Sequence, residues 1–138
     1  MEDEDLEKAI FKRLKHALQL LAVPPEKQLD LLPPFVCKGD ELALEFDHWR
    51  EVTFHNYRGQ LSGDQNSALV ELAEKIHWLT KSGAQNWTDE AVRTSPEWQD
   101  VRNLAAKALQ AFGWPVETPP SYAHEYVSTD PFWNDREN

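Results

Sequence analysis

Two Glu-x-x-His units are the residues of this 138-residue chain that could most directly carry out chemistry. Glu45 precedes His48 by three positions, and Glu74 precedes His77 by the same interval. On a helix this spacing points a carboxylate and an imidazole in one direction, and two facing units with one carboxylate from each of two other helices would form a di-iron site. The carboxylates that could complete such a site are Glu7 and Glu97.

The helical positions of these residues argue against a metal site. If residues 35–57 form a helix, His48 lies on its polar side with Glu51 and His55, away from the apolar stripe. A pattern with two fixed residues also arises by chance in a chain that has 24 acidic residues and five histidines. We therefore expect no metal and no cofactor, and we keep a ferritin-like metal-binding bundle as an alternative.

Cys37 is the only cysteine, so an intrachain disulfide and a multi-cysteine metal site are excluded. It follows an apolar pair, and we expect a buried structural thiol rather than a nucleophile. The sequence also has no Gly-rich phosphate loop, nucleophile elbow or zinc-ligand cluster. Together these features predict that the protein is not an enzyme.

The charge balance indicates what kind of partner the protein would bind. With 24 acidic and 14 basic residues the formal net charge is −10. Nucleic acid and anionic membranes would be repelled, whereas a basic protein would be attracted. No apolar run approaches the roughly 20 residues needed to span a bilayer, and the start MEDED lacks the positive charge of a secretory signal. We expect a cytoplasmic protein.

The elements that would position these residues are helices, and the clearest lies between Ser95 and Gly113. Ser95 can cap the first backbone N–H groups, and Pro96 is tolerated at the first helical position. Gly113 can adopt the left-handed conformation that ends a helix. We predict that this helix is the centre of a small bundle. Its apolar stripe consists of Trp98, Val101, Leu104, Ala105, Ala108, Leu109 and Phe112.

Other segments also show a helical period with recognisable ends. An acidic first turn precedes the first stripe, Pro25 can open the second helix, and Ser62 or Asp64 can cap the third. The predicted helices cover residues 3–22, 26–32 and 89–93, and a further helix runs from the cap at Ser62 or Asp64 to a stop at residues 82–83.

Residues 35–57 fit two patterns. As a helix capped by Asp40, the segment gathers Leu42, Phe46, Trp49 and Tyr57 on one side. As strands, alternate residues from Glu41 to Phe46 would face one way after a turn at residues 38–40. We favour the helix, because an isolated two-stranded ribbon is marginally stable.

The fold predicted from these patterns is all-α, with four main helices, short helical turns and an extended C-terminal segment. Residues 1–113 would form the bundle domain. Residues 114–138 contain four prolines, acids and large aromatic side chains, and we expect this tail to pack on the bundle or on a partner.

The stretch from Trp87 to Trp114, WTDEAVRTSPEWQDVRNLAAKALQAFGW, resembles the C-terminal segments of small acidic bacterial proteins. Some of those proteins look like immunity proteins, which neutralise toxins delivered between competing cells. The likeness covers about a fifth of the chain and implies a bacterial origin and a helical fold. It assigns no catalytic or binding residue.

We expect a non-enzymatic acidic binding protein, most concretely an immunity or antitoxin-type protein that occludes a basic toxin. It would act as a monomer or homodimer, and a self-associating helical regulatory protein is a further alternative. Acidic groups would steer the partner, and aromatic anchors would hold it. The predicted contact residues are Glu41, Glu45, Asp47, Trp49 and Glu51 in the middle of the chain, and Glu125, Tyr126, Asp130 and Trp133 near its end.

Overall fold

The computed structural model of the protein describes residues 2–32 and 37–120, except for the side chains of residues 2 and 3. The described residues contain helices and no strand, so the prediction of an all-α fold is confirmed. The helices are α1 (Glu2–Ala22), α2 (Pro25–Asp30), α3 (Lys38–Tyr57), α4 (Gly63–Ser82), α5 (Asp89–Thr94) and α6 (Pro96–Phe112), with single 3₁₀ turns at Arg58–Gln60 and Ala84–Trp87.

The ambiguous segment is helical from Lys38 to Tyr57, and the hairpin alternative is wrong for these residues. Leu42, Phe46 and Trp49 are fully buried, because a helical period lets one face pack on α1. The predicted cap is also wrong, since Cys37 occupies the cap position and Asp40 lies in the first turn. Residues 33–36 lie outside the described part of the chain.

The start of α3 packs closely on the second 3₁₀ turn, and this explains Gly39. A Cβ atom added at residue 39 would lie 3.0 Å from the carbonyl oxygen of Trp87 and 3.3 Å from its indole ring. Any larger residue would push the two segments apart.

The predicted ends of α6 are confirmed, and α5 also begins at a side-chain cap. The Ser95 hydroxyl accepts a hydrogen bond from the backbone of Glu97. Thr88 caps α5 in the same way through the backbone of Ala91. Gly113 ends α6 in the left-handed conformation, with φ of 72°.

Helix α6 lies between α1 and α4, while α1 lies between α6 and α3. The core therefore has two central helices rather than the single one predicted. Gln65 near the start of α4 hydrogen-bonds to the carbonyl of Ala111 at the end of α6, so α4 and α6 run antiparallel. Helices α3 and α4 are joined by a short turn but make little contact with each other, and this leaves the bundle open on one side.

The chain after α6 follows the bundle as an extended segment. Trp114 stacks on Phe112 with ring centroids 4.3 Å apart and an angle of 7° between the planes. The carbonyl of Pro115 accepts a hydrogen bond from Gln19 of α1 at 3.0 Å. The first residues of the predicted tail therefore pack on the bundle, and residues 121–138 lie outside the description.

Replacing Ser62 with alanine is expected to destabilise the protein by about 1 kcal/mol. The Ser62 hydroxyl accepts from the backbone N–H of Gln65 at 3.1 Å, and the Gln65 side chain accepts from the backbone N–H of Ser62 at 2.9 Å. Urea unfolding would measure the change. Ser67→Ala is the matched control, because Ser67 is exposed inside the same helix, where alanine is the better helix former. Equal effects of the two substitutions would contradict the capping role.

Candidate functional site

The structure separates the predicted contact residues of α3 into exterior and interior groups. Glu51 is exposed, and Glu41 and Asp47 are half-buried. Glu45 and Trp49 are 3% and 0% exposed, and the Trp49 indole N–H donates to the Glu45 carboxylate at 2.8 Å. Both were predicted as contact residues, although the helical pattern also put Trp49 on the apolar side of α3. A buried indole N–H needs an acceptor, and Glu45 lies one turn away. The prediction that Glu45 and Trp49 are contact residues on the surface is therefore wrong.

The prediction for His48 is also wrong. Instead of facing solvent with Glu51 and His55, it is 3% exposed, and its ring meets Trp49 edge-on with centroids 4.4 Å apart. Glu51 and His55 do lie together on the exposed face, with 3.7 Å between a carboxylate oxygen and Nε2. The three side chains therefore do not form one polar cluster.

The two Glu-x-x-His units are not arranged as a metal site, although His48, Glu74 and His77 all line the groove between α3 and α4. His48 is buried in α3, whereas Glu74 and His77 are exposed on α4. Within residues 2–32 and 37–120, no group of three or more histidine, cysteine or acidic side chains is arranged to hold a metal ion.

Cys37 is exposed, which corrects the expectation of a buried thiol. Its Sγ lies 3.6 Å from the carbonyl oxygen of Trp87. A backbone hydrogen bond from Asp40 acts to lower the pKa of this thiol, but partial desolvation, the Asp40 side chain and the charge of Asp89 together raise it. Since the thiolate is the nucleophilic form, this environment does not activate the sulfur.

A groove of about 770 Å³ lies between α3 and α4. Leu44 on α3 and Trp78 on α4 line it, and they are 50% and 49% exposed. The same groove contains three carboxylates against two permanent cations. The acids are Asp47, Glu51 and Glu74, and the cations are Arg50 and Lys81. Its surface is thus apolar in part and acidic on balance.

A smaller cavity of about 270 Å³ continues the groove toward the turn between α3 and α4. Phe54 lines it, and Arg50 and Val70 line both openings. Phe54 is 38% and Val70 39% exposed. Of the six large apolar residues exposed in the described chain, four therefore lie along this one groove, and the other two are Leu6 and Val116. Such clustering on one face is typical of an interaction surface rather than of scattered surface hydrophobics.

Trp78 is held in place by Lys75 of the same helix, which in turn pairs with acids on α6. The Lys75 ammonium lies over the indole ring, 4.7 Å from the centroid. Lys75 is paired in turn with Glu97 and with Asp100 on α6, the latter at 3.5 Å. The hydrogen bond to Glu97 raises the pKa of Lys75, with a further contribution from Asp100. A charge fixed from α6 thus orients the half-exposed indole, and the groove presents a preformed aromatic anchor.

The groove was not predicted from the sequence, although the sequence contains a signal for it. Trp78 and Val70 flank the apolar stripe of α4, and Leu44 lies off the stripe of α3. Large apolar residues off the core-facing stripe indicate a second covered face. The four predicted contact residues near the C-terminus, Glu125, Tyr126, Asp130 and Trp133, lie outside the described residues.

In comparisons with known proteins, no family model, curated protein or solved structure matches the chain. Among the described residues, no helix is both long enough and apolar enough to cross a membrane.

Proposed function

We propose that this chain is a non-enzymatic acidic binding protein that holds a basic partner protein in the groove between α3 and α4. The observation that supports the proposal is the concentration of exposed apolar side chains in a groove that also contains more acids than bases. Apolar anchors supply affinity, and the acids favour a partner of opposite charge. In its most concrete form, the protein is a bacterial immunity-type protein that occludes a basic toxin.

The net charge of the chain also bears on which molecule fills the groove. A second copy of the chain would bring another net charge of −10 toward a groove that already contains Asp47, Glu51 and Glu74. Repulsion between the two copies opposes that association, whereas a cationic partner gains from the same field. We therefore assign the groove to a basic partner.

The spacing of the apolar residues suggests the shape of the partner element. Leu44 and Phe54 are ten residues apart on α3, which corresponds to about 15 Å along a helix. Val70 and Trp78 are eight residues apart on α4, or about 12 Å. Two anchor points at this distance match apolar residues two to three turns apart on an amphipathic helix, and a helix laid between two helices is a common mode of recognition.

The proposal predicts that groove residues control the binding of a basic amphipathic helix. The probe is a synthetic helix with leucines on one face and lysines on the other, and its affinity is measured by isothermal titration calorimetry. Trp78→Ala is expected to weaken binding about 30-fold, because a central aromatic anchor contributes about 2 kcal/mol. Binding should also weaken as salt rises.

Matched controls separate the groove from a general attraction to an acidic surface. Leu6→Ala and Val116→Ala remove exposed apolar residues elsewhere on the molecule and should leave the affinity unchanged. The same peptide with glutamate in place of lysine should bind at least tenfold more weakly. Equal losses at Trp78 and Leu6 would refute the groove as the site, and dimers of the free protein lost with Trp78→Ala would assign it to a second copy.

A further inference from the structure

Helix α1 has a row of lysines that the groove does not explain. Lys8, Lys12 and Lys15 follow one another at steps of four and three, so they share one face of the helix. Lys8 and Lys12 are exposed, and Lys15 is half-buried. Within the described residues none of the three forms an ion pair with a carboxylate. We call these three residues the lysine row.

The positive charges on α1 affect the pKa of a neighbouring side chain, His16. The pKa of His16 is lowered first by burial and then by the charges of Lys15, Lys12 and Arg13. A protonated imidazole is therefore opposed by these three neighbouring cations. The first six residues of α1 include five acids, but from Lys8 to Ala22 the helix has four bases and no acid, in a chain with a net charge of −10.

The chain that follows α6 meets the same helix face at one end of the lysine row. Gln19 lies four residues after Lys15, and so continues the row by one turn. It is 1% exposed, and its side-chain N–H donates to the carbonyl of Pro115 at 3.0 Å. Pro119 is buried as well. Pro115 is thus bound to α1 five residues before Pro120, the last residue that the structure describes.

The remaining residues 121–138 have the charge and the length to reach the lysine row. They include four acids and one arginine. Eighteen residues can span up to about 60 Å when extended, whereas the distance from Lys8 to Gln19 along the helix is about 16 Å. The acids are Glu125, Asp130, Asp135 and Glu137.

We propose that the C-terminal segment, residues 121–138, docks on α1 with its carboxylates against the lysine row. The point where the chain meets α1 and the opposite charges of the two segments support this assignment, which is independent of the groove between α3 and α4. Docking neutralises the basic face of an otherwise acidic molecule. The protein then presents negative potential to a basic partner and offers no site to a polyanion.

Zero-length carbodiimide cross-linking of the full chain tests the contact directly. The expected products join carboxylates of residues 121–138 to lysines of the row, as mapped by mass spectrometry. A mixture of isotopically labelled and unlabelled protein identifies links within one chain. Lys107 and Glu71, whose Nζ and carboxylate oxygen are 2.8 Å apart, provide the positive control.

Other cross-links would overturn the proposal. Lys27 and Lys81 are exposed lysines outside the row. Tail links that favour Lys81 would place the segment in the groove, and links between chains would mean that a second copy covers the row. A tail that joins no lysine of the row, while the control pair is linked, would also contradict the docking.

A charge exchange in the full chain provides a second test that does not depend on lysine chemistry. Lys12→Glu with Lys15→Glu is expected to speed chymotryptic cleavage after the tail aromatics about fivefold. Adding Asp130→Lys and Asp135→Lys should restore slow cleavage. Lys27→Glu with Lys81→Glu changes the net charge equally and serves as the control. Faster cleavage in the control, or no restoration in the exchanged variant, would refute the contact.

Discussion

Replacing Gln28 with alanine is expected to lower the free energy of unfolding by about 3 kcal/mol. Gln28 is completely buried, and its side-chain N–H groups donate to the carbonyls of Leu20 and Leu21 at 3.1 and 3.0 Å. Its oxygen accepts from the Arg102 guanidinium at 2.9 Å. One amide therefore donates to two carbonyls at the end of α1 and accepts from a charged group on α6. Its removal leaves all three groups without this hydrogen-bond partner.

The hydrogen bond from Arg102 makes the Gln28 amide important for stability. Arg102 is 5% exposed, and burial lowers the pKa of its guanidinium. Its other described contacts are the carbonyl of Val92 at 3.1 Å and the side-chain oxygen of Gln99 at 3.2 Å, so the cation is held by neutral oxygens alone among the described residues. A buried charge that is stabilised only by neutral hydrogen-bond acceptors becomes much less stable when one of these acceptors is removed.

Urea unfolding of two variants and one control would test the network. Gln28→Met keeps most of the volume and is expected to be nearly as unstable as Gln28→Ala, because the polar partners are the main loss. Gln99→Ala removes an exposed acceptor from the same guanidinium and should cost less than about 1 kcal/mol. If methionine restored the stability, packing rather than hydrogen bonding would account for the role of Gln28.

Acidification from pH 7 to pH 4 is expected to cost the wild-type protein about 3 kcal/mol of stability through His16 alone. Burial, followed by the charges of Lys15, Lys12 and Arg13, lowers the pKa of His16 from 6.5 to about 4 in the folded protein. Between these two values the unfolded chain binds more protons than the folded one. The contribution is therefore complete above pH 6.5 and is lost progressively as the pH falls toward 4.

The measurement is the free energy of unfolding across this pH range at constant ionic strength. His16→Gln and His16→Leu both remove the titrating group and differ in polarity, so both should flatten the curve by about the same amount. Other acids titrate in the same range, and only the difference between the wild type and the variants reports on His16. Parallel curves for the three proteins would show that burial of His16 does not disfavour its charged form.

Helix ends were predictable because their signals are local. Ser95, Pro96 and Gly113 each act through their own backbone within one turn, so the sequence predicts the bounds of α6 closely. The 3.6-residue period of α3 likewise outweighed the turn-like residues 38–40, since an entire helix face gains from burial.

The side-chain roles within α3 were less predictable. Glu45 and His48 are polar, and pattern reasoning places polar residues outside. Both are buried, and each is next to Trp49: Glu45 accepts its indole N–H, and the His48 ring meets the indole edge-on. Gln28 gave no signal in the sequence, since its three partners come from α1 and from a helix 74 residues away.

By itself, the sequence determined an all-α fold, the two ends of α6, and a net charge of −10, because caps, periodicity and net charge follow from neighbouring residues or from simple sums. Only the tertiary structure decided that α1 and α6 share the centre, and that α3 and α4 stand apart with Leu44 and Trp78 exposed between them. The physical reason is that a helix with apolar residues on more than one side can bury only the side for which a partner helix is available.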